Sequence, residues 1–451
     1  MSAPAPRGAC PGLSAPMPTG DGLLVRLVPT EAMPVEAFIA LCAAARRGGN
    51  GIMEVTARGS LQVRGLTPRS APLFAAEVSW LRIAASDGVP VLANPLADDP
   101  DTILDSGLLA AELRRALAHS QLALAPKVSV VIDGGGALQL DALSGDVKLR
   151  AVGPPEGSRW LVALQARPAA TPAPPERVGV ASRGHSAGGE AADSIPHPPA
   201  EEGGGSTWLG AVAPERAIAV VLVTLRDIAT LGPRARAADL LRIHGIDALR
   251  ERFGIAPAAA PERRPPANMV GRHTLRDASL AIGVGLPFGH AEADALAELA
   301  RHAAQYGART IRPAPARVLM LIGVSPAHAS NFAAVAADLG FIVDDDDPRR
   351  RISACPGAPA CASGFIPARS LAAALAPRLP GLPDGIAIHV SGCAKGCAHP
   401  ARAALTVVGD SQRCGIVRNG TARATPCRHV SADDLVAEVA RVFAPREAVH
   451  G

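Results

Sequence analysis

The chain has 451 residues, several times the size of an ordinary domain, with 48% hydrophobic and 19% charged residues and a mean hydropathy of +0.19. That balance belongs to a folded globular protein with at least one large core and excludes a disordered chain. Forty-five Lys and Arg against 41 Asp and Glu leave a net charge of +4, too small for a basic track along nucleic acid, and eight Phe, three Trp and one Tyr are too few for base-stacking platforms.

The first 22 residues, MSAPAPRGACPGLSAPMPTGDG, lack the charged and apolar regions of a secretory signal, and residues 1–20 read as an N-terminal arm. A cytoplasmic location is expected, and eight cysteines in such a chain point to metal binding or catalysis rather than disulfides. From Asp21 the sequence alternates as a strand, turns at a proline, continues as an amphipathic helix that places Cys42 on its apolar face with Phe38, Leu41 and Ala45, and returns as a strand after Gly51. Residues 21–90 are read as one half-domain and 91–166 as an α/β unit in which LLAAELRRAL is a helix and VSVVIDGGG a strand ending in a Gly-rich turn. Residues 167–214, dense in Pro, Gly, Ala and Ser, are expected to be a flexible connector. A short piece follows over 215–269, with AIAVVLVTL at 217–225 as a strand and RARAADLLRIHG as a helix. The run AIAVVLVTL is also the longest apolar candidate, far short of the about 18 residues that a membrane span requires.

The pattern then repeats. Asp277 and Gly307 follow Asp21 and Gly51 by the same 256 residues, and the strand, proline turn, helix, glycine and strand recur in order. Residues 270–340 form the second half-domain and 341–451 the second α/β unit, where SLAAALAPRL precedes IAIHVSGCAKGC. Where the first copy has Asp133, Gly134 and Gly135, the second has Ser391, Gly392 and Cys393. The expected architecture is α+β, duplicated about a pseudo-twofold axis, with a site between the halves.

Six of the eight cysteines fall in the last quarter. Cys355 and Cys361 form C-x5-C, and Cys393 and Cys397 form C-x3-C, so two loops offer four thiolates to one metal centre. Structural zinc favours tighter knuckles, whereas an iron-sulfur cluster is wider and accepts such loops, with Gly and Pro beside the ligands where backbone must approach sulfide. Zinc and unligated thiols remain the alternatives. Cys10, Cys414 and Cys427 carry no assignment beyond free thiols, and Cys42 reads as a small buried hydrophobe.

These paired cysteines in SACPGAPACASG and HVSGCAKGCAHP, the strand pair VTARGSLQVRGL and the duplicated layout resemble the nitrite and sulfite reductase superfamily. The resemblance covers nearly the whole chain apart from the connector. It implies ferredoxin-like half-domains, α/β domains of which the second carries a 4Fe-4S cluster, and Cys355, Cys361, Cys393 and Cys397 as its ligands, the last bridging to sirohaem. Arg58 matches the arginine of the T-x-R element, and Lys127, in APKVSV, the first lysine of the P-R-K-x-K element. The departures separate this chain from the reductases. Ser129 stands where the second lysine belongs, and GVPVLANPLADDPD lacks the expected Arg-Asn, so two charges that stabilise a small oxyanion are missing.

With RGACPGLSAPMPTGDGLLVRL at its start, the chain is more similar to the aerobic cobalamin-pathway branch of that superfamily. That branch implies a monooxygenase that converts precorrin-3A, with dioxygen and reducing equivalents, to precorrin-3B, hydroxylated at C20 and closed to a γ-lactone. A tetrapyrrole would then be substrate, with sirohaem the less favoured cofactor. Arg26, Arg58, Arg64, Lys127, Arg312 and Arg317 are candidates to pair with its carboxylates. The branch also implies a non-haem iron, for which His389 and His399 lie nearest in sequence, although His389 on a strand reads first as a packed core residue. No catalytic side chain is singled out. No G-x-G-x-x-G follows a strand, so a separate NADH-dependent reductase or ferredoxin is expected to supply electrons. The competing functions are a sirohaem-dependent sulfite or nitrite reductase and an iron-sulfur electron-transfer subunit.

Overall fold

The computed structural model describes residues 11–154, 156–166, 205–379, 387–411 and 413–443. Four five-stranded sheets carry the described chain. Two are the sheets of the half-domains. The first runs, in spatial order, Met17–Thr19, Gly22–Leu27, Leu61–Leu66, Ile52–Val55 and His290–Glu292; the second runs Gly271–Thr274, Leu280–Gly285, Val318–Val324, Thr310–Ala314 and Met33–Pro34. Each half-domain thus lends a short edge strand to the other: Met33 and Pro34 pair with Ile311 and Thr310, and His290, Ala291 and Glu292 pair with Glu54, Met53 and Ile52.

Alternation along these strands sends one face inward. Val25, Leu27, Met53, Val55, Leu61 and Val63 are buried against helix Val35–Gly48, whose Val35, Phe38, Leu41, Cys42 and Ala45 recur at helical spacing. Helix Ala293–Gln305 repeats this in the second half through Leu296, Ala300 and Ala303, and both helices belong to one shared core.

The other two sheets are copies of one another in strand order and direction. Val91–Ala93, Val130–Asp133 and Val147–Val152 run parallel, then Arg159–Gln165 and Ser206–Val212 return antiparallel. In the second copy Ile352–Ala354, Ile388–Ser391 and Ala403–Asp410 run parallel, and Arg413–Gly420 and Arg428–Val430 return. A helix crosses between the first and second strand of each, Ser106–Ser120 and Ala368–Leu375.

Four expectations change. The segment AIAVVLVTL is not a strand but part of helix Ala217–Thr230. Its β-branched residues favour extended chain, yet Ala217, Val220, Val221, Thr224, Leu225 and Ile228 fall on one helical face that packs on the first α/β sheet, and that burial overrides propensity. The piece at 215–269 is therefore a three-helix addition, with Ala237–His244 and Ile246–Phe253, to the first α/β unit. Of the connector, 206–212 is an edge strand that buries Leu209 and Val212; residues 167–204 lie outside the described residues. Within the N-terminal arm, Met17–Thr19 is a strand paired with Gly22–Leu27, which delivers Gly20 to the thiols; residues 1–10 lie outside the described residues.

The two α/β units meet the half-domains differently. The first unit packs Val131, Leu138 and Leu140 on Ala281, Ala314, Val318 and Met320 of the second half-domain, an apolar contact. The second unit faces the first half-domain across charged side chains.

Candidate functional site

The thiols sit at the carboxyl ends of the parallel strands of the second α/β unit, where open α/β sheets place ligands. Cys355 follows strand Ile352–Ala354, and Cys393 follows Ile388–Ser391. The Gly392 N–H donates to Cys355 Sγ at 3.0 Å. Glycine is required by contact here: a Cβ on Gly392 would stand 2.9 Å from Gly357 Cα, one on Gly364 2.6 Å from Ala358 N, and one on Gly20 2.5 Å from Cys361 Sγ. Burial pushes the Cys355 thiol up, as do the charges of Cys393 and Cys361, against the Gly392 and Gly357 N–H groups that favour its thiolate. Burial and the other three cysteines likewise raise Cys397. Four thiols that oppose one another's ionisation, in a glycine cradle with N–H donors, fit a cationic cluster core as their common partner. Among the described residues no group of three or more His, Cys, Asp or Glu side chains is drawn together tightly enough to hold a single metal ion.

Beneath the thiols lies the outer face of the first sheet. Arg64 donates from Nε to Asp21 Oδ2 at 2.8 Å and from Nη2 to Asp21 Oδ1 at 3.0 Å, and Nη1 lies 3.4 Å from Glu54 Oε2. Arg369, in the first turn of the helix that follows the thiol loop, pairs with Glu54 across the interface. Gln62 completes the row, its amide donating to Glu54 Oε2 at 2.9 Å and accepting from Arg26 Nη2 at 3.2 Å. Burial alone would drive Arg64 toward neutrality, but the Asp21 bonds and the charges of Glu54 and Cys361 more than offset it. No sequence signal singles out Asp21, Glu54 or Arg369, because their partners are distant along the chain.

The remaining predicted residues are dispersed along the interdomain surfaces. Arg58 leaves its hairpin to donate to Ser129 Oγ at 3.1 Å and to the Ser144 carbonyl at 2.7 Å. Ser129 is buried and its N–H donates to Asp146, so the position of the second lysine holds a short hydroxyl engaged by Arg58. Lys127 is exposed and its carbonyl accepts from Arg236. Arg312, on the second half-domain, faces Arg114 and Glu31 in the contact with the first α/β unit; burial and Arg114 push it down to about 10. Arg317 donates to Ser353 Oγ at 2.9 Å, two residues before Cys355, and lines a cavity of about 350 Å³. Arg349, Arg350 and Arg351 edge that cavity, and Leu286, Phe288 and Ile352 form its apolar wall.

His389 is fully buried, both ring nitrogens without a partner among the described residues, with the His399 ring 5.8 Å away. Burial, with His399 and Arg317, pushes it down to about 4. Among the described residues no third His, Cys, Asp or Glu joins these two rings in a group that could hold a metal ion. Cys42 is buried as expected, and Cys414 is also buried, its thiol pushed up to about 11; Cys427 is exposed and donates to the Ile416 carbonyl. Among the described residues no helix is long and apolar enough to cross a membrane.

No family model matches the chain. The fold is that of the Mycobacterium tuberculosis NirA protein, with a TM-score of 0.67 at 20% identity over 93% of this chain and 80% of that one. It is the duplicated nitrite and sulfite reductase fold that the sequence resemblance implies. A dissimilatory sulfite reductase overlaps 54% of this chain and 72% of its own at a TM-score of 0.38 and 11% identity. A precorrin-3B synthase from Sinorhizobium sp is 36% identical over 444 residues, 97% of this chain and 88% of that protein. Likeness at that level, along nearly the full length of both chains, places this chain in the precorrin-3B synthase family.

Proposed function

We propose that the chain is the oxygen-dependent monooxygenase of cobalamin biosynthesis that converts precorrin-3A to precorrin-3B, with hydroxylation at C20 and closure of a γ-lactone by a ring A acetate. The 36% identity across 97% of the chain to a protein of that name carries the reading. The four cysteines gathered by two loops of a nitrite and sulfite reductase fold support it. The reaction balances with one dioxygen, two electrons and two protons: one oxygen atom enters the macrocycle and the other leaves as water.

Cys355, Cys361, Cys393 and Cys397 would hold a 4Fe-4S cluster, which supplies electrons singly. The chain's own part is to bind and orient a polycarboxylate ring. The 350 Å³ cavity has an apolar wall for the macrocycle edge and Arg317 for an acetate or propionate group, Arg349 and Arg350 beside it being held by Asp347 and Asp345. Arg317 suits this role because its hydrogen-bond partner is the neutral Ser353 hydroxyl, which a carboxylate can displace. Arg312, Arg58 and Lys127 are the further carboxylate partners on the interdomain surfaces. A buried Ser129 where a reductase presents a lysine supports a tetrapyrrole substrate over a small oxyanion. A separate NADH-dependent reductase or ferredoxin would deliver the electrons.

The deciding experiment incubates the anaerobically reconstituted protein with precorrin-3A, an electron donor and labelled dioxygen. Mass spectrometry should show one labelled oxygen atom in the product. An intact cluster with no incorporation rejects the reading, and strong Soret absorption in the purified protein would favour a sirohaem-dependent reductase instead.

A further inference from the structure

Two of the arginines nearest the thiols are already spent on carboxylates. Arg64 is 11% exposed and held in bidentate fashion by Asp21, itself 5% exposed; Arg369 is 14% exposed and held by Glu54. We propose that Arg64 and Arg369, locked in place by Asp21 and Glu54, set the reduction potential of the cluster carried by the four cysteines and do not bind substrate. The proposal rests on the cluster reading given above.

The geometry ties both cations to the thiols through short paths. Cys361 touches Gly20, whose carbonyl accepts from the Ala362 N–H at 3.0 Å, and Asp21, the next residue, grips Arg64. Arg369 follows Ala368, whose backbone nitrogen packs on Gly357 between Cys355 and Cys361. Glu54 is shared by Arg64 and Arg369, so one carboxylate fixes both guanidinium groups.

Charge then gives the sign. Among the described residues four cations, Arg26, Arg64, Arg317 and Arg369, face the row that carries the two carboxylates Asp21 and Glu54, and the charges of Cys361 and Cys355 reach Arg64 and Arg369. A 4Fe-4S cluster with four thiolates carries two negative charges when oxidised and three when reduced, so fixed positive charge favours the reduced form. Buried charges are screened far less by salt and water than exposed ones. A guanidinium that touches neither substrate nor iron can therefore govern how readily the cluster accepts its electron.

The test is an EPR-monitored redox titration of the reconstituted full chain, with iron and acid-labile sulfide measured on each preparation. Arg369→Met should lower the midpoint potential by a tenfold change or more in the one-electron equilibrium, about 59 mV. Glu54→Gln should raise it, and Arg369→Lys should stay close to the parent. Because Arg64→Met alone would strand a buried Asp21, the double variant Asp21→Asn with Arg64→Met removes the pair together; with no net charge change it should shift the potential less than Arg369→Met. Opposite signs for Arg369→Met and Glu54→Gln cannot come from general loosening of the site. Cluster-loaded Arg369→Met and Glu54→Gln with unmoved potentials, or with shifts in the same direction, overturn the proposal; a parent chain that takes up no iron and sulfide overturns the cluster reading and this inference with it.

Discussion

Gly392 has no room for a side chain: a methyl group there would press on the backbone of Gly357, 2.9 Å from its Cα. Gly392→Ala should therefore cost about 1 to 3 kcal/mol of stability and lower the iron bound per chain, measured by urea unfolding and metal analysis. His389 makes a different prediction. The folded chain keeps its imidazole neutral down to about pH 4, while an unfolded histidine takes up its proton near pH 6.5. Its depressed pKa contributes stability that is complete above pH 6.5 and lost as pH falls toward 4, about 3 kcal/mol in all. His389→Leu should flatten the fall in melting temperature with acidification over that window relative to the parent; an unchanged slope would show that His389 is not the group. The meeting of four cysteines on two loops was legible in the sequence because their spacing is local. The roles of the arginines were not, because a guanidinium's availability depends on which carboxylate it meets, and Glu54 and Arg369 are 315 residues apart.

At the scale of elements, the two α/β units show how one scaffold serves two ends. In the first copy the Gly-rich turn after strand Val130–Asp133 is closed by charge. Asp133 accepts from the N–H groups of Gly135 and Leu140 and from Arg264, which also grips Asp141 at 2.9 Å. Asn94 accepts from the Gly134 N–H at 2.7 Å and donates to the Leu138 carbonyl at 3.0 Å. The corresponding turn in the second copy is where Gly392 and Cys393 stand. Arg264→Ala should leave the buried Asp133 without its ion-pair partner, while Asp141 keeps Arg150 at 3.2 Å, and destabilise the chain by about 2 kcal/mol, discounted for the partial exposure of Arg264 and measured by denaturant unfolding. An effect confined to a few tenths would mean that water replaces the arginine. Helix Ala217–Thr230 marks the limit of local reading: its residues prefer extended chain, and only the sheet beneath them selects the helix.

The whole molecule is interlocked. Met33 and Pro34 complete the second half-domain's sheet and His290–Glu292 the first's, so neither half buries its own edge. Strand Ser206–Val212, at the end of the connector, and the helices that follow to Phe253 complete the first α/β core. A fragment 1–166 should therefore fail to fold alone, whereas co-expressed 1–166 and 205–451 should copurify with the far-ultraviolet dichroism of the intact chain. A well-folded 1–166 monomer would contradict this. The sequence by itself determined the duplication, the strand and helix order of the repeated units, the thiol set and the family resemblance, since each is written in periodicity or short spacing. Only the tertiary structure decided the exchanged edge strands, the helical state of 217–230 and the division of the arginines between carboxylate-clamped and open positions. Those depend on surfaces and charges that meet only when distant segments pack together.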